Sequence, residues 1–170
     1  MKEPILYLLM RTDIPSMNPG KLGAQTSHVT NAFENKIQDL IKTNPRENEY
    51  VIEGYKKWKS STSQGFGTAI CLGIDDWLNL IITIKDNIQR DKTIISISDV
   101  IVDPSYPCQV PREVALYLNL KIDKLYEKGC SFVMTDSPIA TFLRPEKVGG
   151  YVFGDKEELS THLKDFPLYP

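Results

Sequence analysis

The chain alternates between short, continuously apolar runs and longer stretches in which apolar residues recur every three or four positions. The run ILYLLM at 5–10 lies between a proline and the charged RTD, which predicts a strand buried on both faces. Apolar runs at 68–74 and 93–102 predict two further strands. Because helical spacing occupies the segments between them, the pattern favours alternating strands and helices.

The first helical stretch has a clear start signal. Asn18 can cap free backbone N–H groups, and Pro19 suits the first helical position because its φ is fixed and it has no N–H to leave unbonded. We expect a helix from Pro19 to about Lys42. The positions predicted to pack against the core are Leu22, Thr26, Val29, Phe33, Ile37 and Leu40.

Three polar residues of different types share another face of this helix. Steps of four and then three residues bring Lys21, Gln25 and His28 together, and we expect this face to lie opposite the packing stripe. On spacing alone, a solvated polar face with a surface histidine is the simpler interpretation. A face that carries chemistry is the alternative.

A second helix is predicted after Asn44-Pro45, which repeats the cap signal. Its packing positions are Val51, Ile52, Tyr55 and Trp58. The segment 60–67, SSTSQGFG, predicts a flexible connector to the next strand.

Asp75 or Asp76 should cap a third helix that runs to about Arg90. The strand at 93–102 should end in the turn DPSYP, which would place Asp103 where that strand stops.

The remaining sequence predicts four elements joined by loops. They are a helix over 113–129, a strand in SFVMTD, a short strand in GYVFGD after a loop that ends in TFLRPEK, and a brief helix before FPLYP.

These elements predict a single α/β domain over 1–170, a three-layer α/β/α sandwich with a mixed, largely parallel sheet of about four strands. Functional groups of such sheets gather at the carboxyl ends of strands. Asp13, the polar face of the first helix and Asp103 all follow strand ends, so we expect them to converge in one cleft.

Composition restricts the class of protein. The 170 residues are 41% hydrophobic and 25% charged with a net charge of −2, which is ordinary for a globular domain and predicts no general affinity for polyanions. A local basic patch is therefore needed for any nucleic-acid contact. The run YKKWK, with Lys56, Lys57 and Lys59, is the densest candidate, and an exposed helix face is its simpler interpretation.

Three cysteines and two histidines fall in no metal-ligand spacing, so we expect neither a metal nor a cofactor. The run ILYLLM is too short for a signal peptide, and no apolar run is long enough to cross a membrane. The expectation is a reduced, cytoplasmic protein. A homodimer is one assembly that the sequence leaves open.

The stretch LLMRTDIPSMNPGKLGAQTSHVTNAF resembles the second, archaeal and eukaryotic class of peptidyl-tRNA hydrolases. That family has an apolar strand, then Arg-x-Asp, then Met-x-x-Gly-Lys-x-x-x-Gln-x-x-His. The matching residues are Arg11, Asp13, Met17, Gly20, Lys21, Gln25 and His28, with one extra residue between Asp13 and Met17. DPSYP and YVFGD are similar to patterns in divergent phage-encoded members.

Downstream the resemblance weakens. The family has an Asp-Ala-Gly-x-Thr-Gln segment, whose aspartate best matches Asp103, with Asp136 as its rival. Pro107 stands near the position of the family threonine, and Thr141 is a substitute. The segment 109–138 would then be an insertion.

The resemblance implies hydrolysis of the ester that joins a peptidyl group to tRNA. With no serine or cysteine in a convincing setting, direct attack by water is favoured, with Asp103 orienting the water and Thr141 in the site. An imidazole ring can both accept and donate a proton, so His28 suits proton transfer. Gln25 and the helix start can donate to the tetrahedral oxygen, and Lys21 can neutralise that oxygen or a terminal phosphate.

Asp13 and Gly20, which match the motif, are predicted substrate contacts, with tRNA as the partner. The basic run itself suggests a local phosphate contact through Lys56, Lys57 and Lys59. A tRNA-binding or protein-interaction module without hydrolytic activity is the alternative function, because the threonine position is altered. A phosphate-binding protein that uses NPGKLG as a nucleotide loop is a third possibility, which the sequence disfavours because Leu22 follows Lys21 where a Walker loop needs serine or threonine.

Overall fold

A computed structural model describes residues 1–14, 16–111, 113–114, 131–133 and 139–170, with the backbone alone described at 109–111, 131–133 and 139–142. The elements in order are β1 (Pro4–Arg11), α1 (Pro19–Thr43), α2 (Glu49–Ser60), β2 (Ala69–Ile74), α3 (Trp77–Ile81), a π-helical segment (Ile82–Ile88), β3 (Ile97–Pro111), β4 (Ser131–Val133), β5 (Ile139–Asp155) and α4 (Lys156–Leu163).

The chain forms two compact units. The first comprises Met1–Ile101 and Val148–Pro170, and the second is Val102–Lys147. The predicted insertion at 109–138 falls within the second unit. A helix predicted over 113–129 lies outside the described residues, apart from 113–114.

The sheet has the strand order β2-β1-β5-β3, and β4 pairs with β5. β1 and β2 run parallel, with Leu6 opposite Ala69, whereas β1 and β5 run antiparallel, with Pro4 opposite Asp155. The predicted α/β class is confirmed. The prediction of a largely parallel sheet is wrong, since the sheet formed by the described residues is mostly antiparallel with one parallel pair. Alternating helices and strands predict the β1–β2 crossover, while the direction of β5 depends on a strand order that the alternation does not specify.

The first unit has helices on both faces of the sheet. Alternate residues of β1, namely Leu6, Leu8 and Met10, pack in a cluster with α1 and α2. The intervening residues Ile5, Tyr7 and Leu9 pack in a second cluster with α3, the π-helical segment and α4. β1 is thus buried on both faces, and the three-layer arrangement is confirmed.

Aromatic side chains form the centre of the cluster under α1 and α2. The Phe33 ring makes edge contacts with Tyr55, Trp58 and Tyr151 at centroid distances of 5.6–6.0 Å. The Trp58 Nε1–H donates to the carbonyl oxygen of Thr68 at 2.8 Å. The predicted packing stripe of α2 is therefore buried, as expected.

Asn44-Pro45 does not start the second helix. Asn44 ends α1, its N–H donating to the Leu40 carbonyl at 3.1 Å, and α2 begins only at Glu49 after Asn48. A proline just beyond a helix is common because it cannot continue the helix. The same dipeptide therefore suits either end of a helix.

Two predicted loops are strands. β3 continues through DPSYP to Pro111, so Asp103 lies inside the strand rather than at its end, and TFLRPEK belongs to β5. β3 ends the strand order, and prolines are tolerated in edge strands because one side of the backbone needs no ladder donor.

The third predicted helix changes its geometry midway. The carboxylate of Asp76, as predicted for one of two aspartates, caps α3 by accepting from the N–H groups of Leu78 and Asn79 at 2.7 and 2.8 Å. From Ile82 the helix is a π-helix that packs against β5. A Cβ at Gly150 would clash with Ile84 Cδ1, so glycine allows this close packing.

Candidate functional site

The carboxyl end of β1 carries an ion pair between a buried arginine and an exposed aspartate. Arg11 is 5% exposed, and its Nε and Nη2 donate to the two carboxylate oxygens of Asp13, each at 2.7 Å. Two parallel bonds fix the orientation of both planar groups. Asp13 is a predicted substrate-binding residue, and both of its oxygens accept hydrogen bonds from Arg11.

The loop after this pair leads directly into α1. Ile14 is buried, and its carbonyl accepts from Met17 N–H at 2.9 Å. Asn18 then caps α1, its side-chain oxygen accepting from Lys21 N–H at 3.0 Å, with Pro19 as the first helical residue. The predicted start of the helix is therefore confirmed.

The polar residues of α1 differ in exposure. Lys21 is partly exposed, Gln25 is buried and His28 is exposed. At about 100° per residue, Lys21 and His28 lie roughly 40° and 60° to one side of Gln25, and Val29 lies about 40° to the other. The three residues share a side of the helix, but the expectation that this side lies opposite the core is wrong, because Gln25 lies at the border of the buried stripe.

The start of α1 is suited to anions. Pro19 has no N–H and the Lys21 N–H donates to the Asn18 side chain, which leaves the Gly20 N–H as a backbone donor for an anion, and Lys21 adds a positive charge in the same turn. Gly20, Gly23, Ala24 and Ser27 are all exposed and small, so the helix backbone is accessible on this side.

The remaining predicted catalytic residues belong to the second unit. Asp103 lies in β3, where its Oδ1 accepts from Ser105 N–H at 2.9 Å. Thr141 lies in β5, with its backbone alone described, and Asp136 lies outside the described residues. The convergence of Asp103 or Thr141 with Lys21 stays a prediction.

The lysines of the YKKWK run have partners within the protein. Lys56 pairs with Glu53 at 2.6 Å, and Lys59 pairs with Glu34 at 2.8 Å. The hydrogen bond to Glu34 is the largest cause that holds the pKa of Lys59 above its ordinary value. Lys57 donates to the Lys2 carbonyl at 2.6 Å. Neighbouring carboxylates thus offset two of the three charges that a phosphate contact would use.

A cleft of about 400 Å³ lies at the carboxyl ends of the parallel strands β1 and β2, as expected for open α/β sheets. Its lining residues are Thr12, Gly73, Asp75, Asn79, Asp165, Phe166 and Pro167. Asp75 accepts from the Asn79 amide at 2.7 Å. The negative charges of Asp75 and Asp165 make this cleft unfavourable for a phosphate, unlike the start of α1.

Two residues near the carboxyl end of β1 were not predicted as site residues. Arg11 stands in the quoted motif, and its position at the end of a predicted strand, two residues before an aspartate, is a signal for the ion pair. The hydroxyl of Tyr169 donates to the Arg11 carbonyl at 3.3 Å. That contact spans 158 positions of sequence, and no local pattern indicates it.

Among the described residues, no group of three or more histidine, cysteine, aspartate or glutamate side chains could hold a metal ion. In the same ranges, no helix combines the length and apolar character that a membrane crossing requires. Compared with known proteins, the chain matches no protein-family model and no curated sequence.

Proposed function

We propose that this protein hydrolyses the ester bond between a peptidyl group and the 3′ ribose of tRNA. The observation that carries the proposal is the cation at the start of α1. Lys21 occupies the first turn, where no acidic residue is present and where a positive charge opposes the helix dipole. Helix stability does not explain the positive charge of Lys21, whereas the binding of an anion beside it would.

The surroundings of Lys21 support a role in RNA-ester chemistry. The Arg11–Asp13 pair and the Asn18 cap fix both ends of the loop that precedes the helix. The exposed Gly20 and Gly23 leave room for a ribose or phosphate to approach the backbone. The motif that resembles peptidyl-tRNA hydrolases comprises these same elements, from Arg11 to His28.

In the proposed reaction, water attacks the ester carbonyl carbon, and the oxygen of that carbonyl becomes negatively charged. Lys21 and the Gly20 N–H stabilise this oxyanion, and Gln25 donates a further hydrogen bond to it. His28 takes a proton from the attacking water and delivers a proton to the departing ribose oxygen, so the proton lost by the water balances the one gained by the leaving group. Free tRNA and the peptide acid are the products.

The test is the release of N-acetylated amino acid from N-acetyl-aminoacyl-tRNA by the purified protein, with and without a chelator. We expect turnover in both conditions. Lys21→Ala should lower turnover roughly a hundredfold or more, the usual loss when one preorganised charge is removed, while stability stays within about 0.5 kcal/mol of the parent.

Lys36→Ala is the matched control, because Lys36 is exposed on the same helix and outside the motif. Its turnover should stay within about twofold of the parent. Lys21→Arg should recover little activity, because a planar guanidinium does not replace a compact ammonium. Release no faster than spontaneous hydrolysis would reject the proposal, and tight tRNA binding with that result would favour the binding module.

A further inference from the structure

The segment Phe166–Pro170 follows α4 and runs along the edge of β2. Gly73 N–H donates to the Pro167 carbonyl at 2.9 Å, and Tyr169 N–H donates to the Cys71 carbonyl at 3.0 Å. The residues between these bonds form an antiparallel bridge with β2. Because β2 ends the strand order, this segment gives an edge strand partners on its outer side.

The side chain of Tyr169 reaches from that edge to the end of β1. Its hydroxyl donates to the carbonyl of Arg11 at 3.3 Å. The N–H in the same peptide group, that of Thr12, donates to the Ile74 carbonyl at 2.8 Å, and the Thr12 hydroxyl donates to it at 3.2 Å. One peptide group is therefore held by hydrogen bonds at both its oxygen and its nitrogen.

The environment of Tyr169 keeps this arrangement in place. The ring packs against the apolar cluster between the sheet and α1. Burial, with a smaller effect of Cys71, raises the pKa of Tyr169 above its ordinary value, so the hydroxyl stays protonated and can donate at neutral pH. A Cβ at Gly73 would lie 2.9 Å from Thr12 Cγ2, so glycine there lets Thr12 come close to β2.

We propose that Tyr169 is a positioning residue of the candidate site. Its hydroxyl fixes the 11–12 peptide group, and so fixes the direction in which the Arg11–Asp13 loop leaves β1 towards the start of α1. The role in turnover rests on the proposed function, whereas the hold on the peptide group can be measured separately. This role requires no contact between Tyr169 and Lys21, and none between Tyr169 and the part of the motif that follows Arg11.

Tyr169→Phe removes the hydroxyl and keeps the ring. We expect kcat to fall about 3- to 10-fold, the equivalent of one neutral hydrogen bond, with KM within about twofold and Tm within about 3 °C. Amide hydrogen exchange at Thr12 should become severalfold faster. Tyr50→Phe, the same change at an exposed tyrosine of α2, should alter neither kcat nor the amide exchange rate at Thr12.

A double-mutant cycle separates positioning from a general structural role. If Tyr169 acts through the Arg11–Asp13 pair, Tyr169→Phe should lower kcat less than twofold in an Asp13→Asn background. A full, additive loss there, or unchanged turnover in Tyr169→Phe, would overturn the role in catalysis. Unchanged exchange at Thr12 would overturn the hold on the peptide group.

The proposed function and this inference fail in different ways. A parent protein without turnover rejects the former. In that case amide exchange at Thr12 alone decides whether Tyr169 positions the end of β1, with faster exchange supporting that hold and unchanged exchange rejecting it.

Discussion

The starts of α1 and α4 are built by opposite rules. α4 begins with Asp155 as its cap and has Glu157 and Glu158 in its first turn, all of which favour the helix dipole. α1 is also capped, by Asn18, but its first turn has no acidic residue and contains Lys21. Two exposed glycines, at 20 and 23, further weaken the start of α1.

The two helix starts differ in how far their residues stabilise the fold, and Asp155 at the start of α4 stabilises it most clearly. The carboxylate of Asp155 accepts from the N–H groups of Lys2 and Glu3 at 2.5 and 3.0 Å, as well as from Glu157 N–H at 3.2 Å. It therefore joins three elements of one end of the sheet. Sequences that break local rules at one place usually do so for function, which agrees with the role proposed for the start of α1.

The largest effect that would test this comparison is the loss of the Asp155 charge. Asp155→Asn cannot accept all three N–H bonds, because its amide nitrogen faces at least one donor, so we expect a loss of about 1–2 kcal/mol at pH 7. Asp39→Asn, at an exposed position of α1, should change stability by less than about 0.5 kcal/mol. Denaturant unfolding measures both.

The effect should depend on pH. Burial acts to raise the pKa of Asp155, but the N–H bonds from Glu3, Lys2 and Glu157 outweigh it and hold the pKa below its ordinary value of 3.8. Its stabilisation is therefore complete above that value and is lost as the pH falls through it towards the folded-state pKa. A difference between parent and Asp155→Asn that stays constant from pH 6 to about pH 3 would contradict this assignment.

A smaller effect of opposite sign is expected at α1. No atom lies within 4 Å of a Cβ built on Gly23, so Gly23→Ala should raise the free energy of unfolding by about 0.5–1 kcal/mol through helix propensity alone. Gly150→Ala is the contrast, because its Cβ would lie 2.6 Å from the Asp99 carbonyl oxygen and should destabilise the protein. If Gly23→Ala does not raise the free energy of unfolding, the contrast between a weak start of α1 and a strong start of α4 is contradicted.

The smallest effect isolates charge. Gly20→Glu should be more stable than Gly20→Gln by about 0.3–0.5 kcal/mol, because only the former adds a negative charge near the start of α1. Glu157→Gln should lose a similar amount at the start of α4. Both differences should shrink at 1 M salt, which screens exposed charges. Equal stability of the two Gly20 variants at low salt would argue against a dipole effect.

The fold was predictable where the signal is local. Continuous apolar runs predicted β1 and β2, and single capping residues predicted the starts of α1 and α3. The signal failed where a sequence has two structural uses. Asn44-Pro45 ends a helix as readily as it starts one, and the prolines of DPSYP are compatible with an edge strand.

The candidate site was predictable only in part, for a similar reason. Helical spacing was enough to put Lys21, Gln25 and His28 on one side of α1. Their exposure was not predictable, because the burial of Gln25 depends on how the helix packs on the sheet. The contact between Tyr169 and Arg11 joins residues brought together by tertiary structure alone, so nothing near either residue could indicate it.

The apolar character of β1 on both faces has a consequence for strand alignment. A shift of β1 by one residue would exchange Ile5, Tyr7 and Leu9 with their neighbours, and each cluster would still receive apolar side chains. Hydrophobicity alone therefore selects the alignment weakly. Polar contacts at the two ends of β1 form in one register only. They are the hydrogen bonds of Asp155 with Lys2 and Glu3, and of Thr12 with Ile74. These few hydrogen bonds therefore favour the native register over a shifted one that is similarly apolar.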